Sequence, residues 1–72
     1  MNNVIVDLAR AAIRFASTDL EMCTKYMDQA ARDVQEGSTV ALRSRVKYTE
    51  RRLQSARNQI DAALALLRSD HE

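Results

Sequence analysis

Apolar residues recur along the chain at alternating steps of four and three. In the first half they are Ala9, Ile13, Ala16, Leu20, Cys23, Met27, Ala30 and Val34; in the second they are Leu42, Val46, Leu53, Ala56, Ile60, Ala63 and Leu67, with Thr49 in the same series. Steps of four and three keep side chains on one face of a helix, the face that packs against another helix. The two series also mirror each other. Every member of the first has a counterpart in the second whose number complements it to 76, from Val34 with Leu42 out to Ala9 with Leu67. A constant sum is the register of an antiparallel pair. The spacing therefore predicts an all-α fold, an antiparallel two-helix hairpin, with helix one over about 3–36, a turn at 37–38 and helix two over about 39–68.

Local chemistry agrees with those boundaries. Asn2 or Asn3 suits an N-cap, since its side chain can accept from an amide of the first turn. The single glycine, Gly37, falls in the expected turn, where a left-handed residue ends a helix without a Cβ clash. Ser38 or Thr39 can cap the second helix. One signal competes: Thr18 followed by Glu21 is a capping-box pattern that would divide helix one at Ser17-Thr18. No Gly or Pro stands before it to stop a helix, and the seam runs unbroken through Ala16 and Leu20, so a continuous helix is expected.

Placing residues at 100° per step leaves apolar surface beyond the seam. A second stripe on helix one carries Ile5, Leu8, Ala12, Phe15, Met22 and Tyr26, with Asp19 in its middle. A weaker companion on helix two carries Ala41, Tyr48, Ser55, Ala62 and Leu66. Both are offset from their seams in the same rotational sense, which in an antiparallel pair puts them on one side of the hairpin. Leu8, Phe15, Asp19, Met22, Tyr26, Tyr48, Arg52 and Leu66 are accordingly the expected protein interface, closing a homodimeric four-helix bundle or receiving a different protein. Asp19 on an apolar stripe needs a partner. The register brings Arg52, with Ser55, close to it, and brings Arg45 close to Asp33.

Composition narrows the function classes. Seventy-two residues make one small domain, and a core of that size rarely supplies more than about 3–5 kcal/mol without a staple or a second copy. Cys23 is the only cysteine and His71 the only histidine, so neither a disulfide nor a structural zinc site is expected. Self-association or partner binding is the remaining route. Proline is absent and helix-forming residues dominate. A net charge of +1 gives no overall pull toward nucleic acid or anionic membrane. No run approaches the roughly 18–20 apolar residues that span a bilayer. Residues 1–7 lack the basic and long apolar segments of a secretory leader, so a cytoplasmic setting is expected.

Charge is nevertheless uneven. Arg43, Arg45, Lys47, Arg51, Arg52 and Arg57 face a single acid, Glu50, in the segment 43–57, whereas helix one carries four bases and six acids. Helix two's bases can complement helix one's acids. The alternative is a surface for nucleic acid or a nucleotide phosphate, because arginine binds phosphate bidentately. The bases scatter around the helix, and Tyr48 alone is a thin stacking platform. Glycine-rich phosphate loops, metal-ligand clusters and nucleophile–base pairs are absent from the sequence. The expected function is a non-enzymatic, cofactor-free protein-binding regulator, adaptor or inhibitor.

Overall fold

In the computed structural model, which describes residues 2–71 (side chains of 70 and 71 excepted), the chain is a hairpin of two helices, α1 (Asn3–Glu36) and α2 (Thr39–His71). It measures 53 × 14 × 11 Å, the length expected of a straight helix of some thirty-odd residues. Asn2 takes the N-cap role: its backbone is extended and its Oδ1 accepts from the Val4 amide at 2.8 Å. α1 continues without a break through Ser17-Thr18. There the Thr18 hydroxyl donates to the Arg14 carbonyl one turn back, at 3.1 Å, instead of capping a new helix.

Gly37 closes α1 in the left-handed conformation, φ 71°. The Gly37 amide donates to the Val34 carbonyl at 3.2 Å and the Ser38 amide to that of Asp33 at 2.9 Å. This paired pattern satisfies carbonyls that the helix end would otherwise strand. Leu42 then donates to the Ser38 carbonyl at 3.0 Å, and α2 is under way within two residues of the end of α1. α2 runs three residues past the expected end near 68, to His71, because neither Gly nor Pro stands there to stop it.

Contacts between the helices keep the expected antiparallel register. Cys23 meets Thr49, Tyr26 meets Tyr48, Asp19 meets Arg52 and Asp33 meets Arg45. Their number sums run from 71 to 78 and bracket 76. The seam itself, however, is narrower than the four-three pattern implied. Its small members are buried: Ala9, Ala16, Cys23 and Ala30 on α1, and Thr49, Ala56 and Ala63 on α2. Most of its large members stay open, among them Ile13 at 54%, Leu20 at 45% and Leu53 at 49% exposure, and Leu42 and Leu67 are half-buried. Among the described residues no large side chain is fully buried.

The reason is geometric. Small residues every seven positions let two backbones approach closely, and the large residues that alternate with them are then displaced to one flank. A buried alanine methyl is worth only on the order of 0.8 kcal/mol, whereas ordering each residue's backbone costs about 1–2 kcal/mol. The seam positions the helices but is a weak source of stability.

Candidate interaction surfaces

The hairpin has two long flanks, and they differ in character. On the first lie the residues expected to form the protein interface. Arg52 Nη1 donates to Asp19 Oδ1 at 2.9 Å, and Asp19 is only 5% exposed. The Ser55 hydroxyl and, next, the Arg52 guanidinium hold the Asp19 carboxyl below its ordinary value of 3.8, against the opposing effect of burial. The same ion pair raises the Arg52 guanidinium above its usual range. Nearer the turn, Arg45 Nε lies 3.3 Å from Asp33 Oδ2. That pair is close but off the hydrogen-bond line, so neither buried atom has a directed partner.

Tyr26 and Tyr48 pack on each other across the helices, ring centres 5.6 Å apart and planes tilted by 37°. The Arg51 guanidinium lies 5.8 Å from the Tyr48 ring centre. Met22 and Leu66 are half-buried, while Leu8 and Phe15 stay exposed, Phe15 at 62%. The polar centre of this flank is therefore satisfied within one chain. Its two tyrosines pack on each other, while Leu8, Phe15 and Tyr48 keep about half or more of their surface exposed.

The opposite flank is aliphatic. Val6, Ile13, Leu20, Met27 and Val34 stand seven residues apart on α1, and Val46, Leu53, Ile60 and Leu67 do so on α2. Each set is offset from the buried seam in the same rotational sense, so the two rows lie side by side. Seven of these side chains are exposed; only Val6 and Leu67, at the open end, are half-buried. Sequence reasoning assigned all nine but Val6 to the seam. The signal that separates them was present: the large residues recur strictly every seven, and so do the small ones. A four-three series merges two heptad rows, and residue size tells them apart.

Of the six bases expected to contact phosphate, Arg45 and Arg52 are engaged with Asp33 and Asp19, and Arg51 lies against Tyr48. Arg43, Lys47 and Arg57 are exposed. At 100° per residue they fall within about 80° of one another, but Arg43 and Arg57 stand about 21 Å apart along the helix with Glu50 between them in the same row, so the positive charge is interrupted. A groove of about 460 Å³ beside Asp7, Arg10, Arg14 and Phe15 is walled by α1 alone and lies open to solvent. Among the described residues there is no group of three or more His, Cys, Asp or Glu able to hold a metal ion. No helix among them is long and apolar enough to cross a membrane. No protein-family model, curated protein or solved structure matches the chain.

Proposed function

We propose that the protein is a non-enzymatic interaction module of the regulator, adaptor or inhibitor class, built as a homodimeric four-helix bundle whose two hairpins meet through their aliphatic flanks. The observation that carries this is the exposure of the large side chains in a chain whose buried seam is made of alanines, a cysteine and a threonine. Covering the seven exposed aliphatics would bury roughly 600 Å² per copy, on the order of 1,200 Å² for a pair, which reaches the size of a specific interface. An exposed apolar row of this size lies at the upper end of what a monomer presents. The two rows supply what a bundle core needs, one large side chain per helix in each layer. The satisfied flank, with Leu8 and Phe15, then remains on the outside of the bundle.

Sedimentation equilibrium combined with circular dichroism tests this reading. The wild type should be dimeric at micromolar concentration, with a melting temperature that rises with concentration. Leu53→Glu should yield a monomer with most of its helix lost, because the charge would sit between hairpins. Phe15→Ser, on the other flank, should leave association unchanged. A fully helical monomer at high concentration would refute the proposal, as would dissociation by Phe15→Ser with Leu53→Glu still dimeric.

A further inference from the structure

Resting on that reading, we infer the polarity of the assembly: the two-fold axis runs parallel to the helices, the two turns lie at the same end, and α1 of each copy packs on α2 of the other. Two hairpins meeting face to face can be related in only two simple ways. An axis across the helices puts the turns at opposite ends and sets α1 against α1; its level along the helices is free, so its register can be adjusted. An axis along the helices leaves no such freedom. It keeps every residue at its own height, so the register between α1 and the partner's α2 must equal the register inside the hairpin.

That imposed register can be read off directly. The outermost residues of the aliphatic flank, one step beyond the large rows, are Asp7, Arg14, Glu21 and Asp28 on α1, and Lys47, Gln54, Asp61 and Arg68 on α2. All are exposed. With the axis along the helices, Asp7 faces Arg68 of the other copy, Arg14 faces Asp61, Glu21 faces Gln54 and Asp28 faces Lys47. Each of these pairs sums to 75, within the 71–78 spanned by the contacts inside the hairpin. Three of the four are opposite in charge and none is alike.

Within one chain these six charged residues sit on opposite outer edges and cannot reach across. Only Asp7 has an ion partner of its own among the described residues, Arg10 at 4.0 Å. Rim charges of this kind select partner and orientation in helical assemblies. The crossed arrangement is poorer: centred on the aliphatic rows, it pairs Arg14 with Asp28 and Lys47 with Asp61 but sets Glu21 of one copy against Glu21 of the other and leaves Asp7 and Arg68 without partners.

Size agrees with charge. The residues pointing most directly at the second copy are Arg10, Ser17, Thr24 and Ala31 on α1, and Arg43, Glu50, Arg57 and Leu64 on α2. Axial symmetry sets Ser17, Thr24 and Ala31 of one copy against Arg57, Glu50 and Arg43 of the other, so large side chains meet small ones in three layers, and Arg10 meets Leu64 in the fourth. The crossed arrangement sets Ser17 against Thr24 on one side and Glu50 against Arg57 on the other, so the centre of the bundle is spaced unequally on its two sides.

Spin labels and a charge swap test this on the full chain. In a Cys23→Ala background, Ser38→Cys labelled at the turn should give a single short distance, on the order of two helix diameters or less. Turns at opposite ends would place the labels about a hairpin length apart, near 53 Å. Asp28→Lys should weaken the dimer about tenfold, because each dimer loses two pairs and gains two repulsions. Lys47→Glu should do the same, and the Asp28→Lys/Lys47→Glu double variant should recover wild-type affinity within about threefold. A long label distance in an intact dimer would overturn the inferred polarity and leave the dimer reading standing. A double variant as weak as the sum of the two single variants would overturn the rim pairing. A wild-type monomer would remove the ground from both proposals.

Discussion

Asp19 is the residue at which local chemistry bears most directly on stability. Its carboxylate is nearly buried, receives the Arg52 guanidinium at 2.9 Å and is held below its ordinary value by Ser55 and Arg52. In the unfolded chain the same group takes up a proton near 3.8. Between that value and the lower folded one, the unfolded state binds more protons, so stability rises with pH through this window. The contribution is complete above the ordinary value and is lost as the pH falls through the folded one. Thermal melts from about pH 5 to about pH 2.5 should therefore show the wild type losing melting temperature faster than Asp19→Asn, whose side chain does not titrate. Equal slopes would mean that Asp19 carries no native charge pair. Asp33 and Arg45 make the poorer pair, since their buried atoms lie 3.3 Å apart without a directed hydrogen bond.

At the scale of the element, the division of each helix into rows of small and large residues governs behaviour. Ala56 is 2% exposed and sits in the seam, where a larger side chain must push the helices apart. Ala56→Leu should destabilise by about 1–3 kcal/mol through overpacking, although leucine is a good helix former. Ala65→Leu, on the exposed side of the same helix, should stay within about 0.5 kcal/mol of the wild type. Urea denaturation of the two variants at one protein concentration measures the contrast. Equal effects would mean that the seam tolerates separation and that its alanines are incidental. The turn, by contrast, is controlled by backbone conformation and not by size. Gly37 at φ 71° needs no room for a Cβ, since nothing lies within 4 Å of that position; what it supplies is the left-handed backbone.

For the whole molecule, positive and negative charge nearly balance. The net charge is +1, and two of the six bases in 43–57 are spent on carboxylates of α1. Phosphate binding would need those bases gathered in one groove, and would lose about 10³–10⁵ in affinity between 50 mM and 200 mM salt. The expected outcome is different. At a protein concentration high enough to keep the weakened dimer assembled, the Arg43→Glu, Lys47→Glu, Arg51→Glu triple variant should keep the overall helical fold, and neither it nor the wild type should form a saturable complex with duplex RNA or DNA at about 150 mM salt. A salt-sensitive complex abolished by the triple variant would move the protein into the nucleic-acid-binding class. Titration by fluorescence anisotropy separates the two.

Much of this architecture is legible in the residues alone. The mirrored four-three series determines two antiparallel helices, because helical periodicity and register are local and additive. Asn2 and Gly37 mark their ends because caps act within a few residues of where they stand. The Asp19–Arg52 and Asp33–Arg45 pairs also follow from register, since a long arginine tolerates an error of a turn. What the tertiary structure decided was which members of the seam are inside. Ile13, Leu20 and Leu53 belong to the same four-three pattern as Ala9, Ala16 and Ala56, and hydrophobicity alone ranks them first for burial. How closely two helices approach depends on side chains facing each other from opposite halves of the chain. Once Ala16 and Ala56 bring the backbones together, no space is left between them for a leucine, and the large residues turn outward to form the face that a second hairpin can cover.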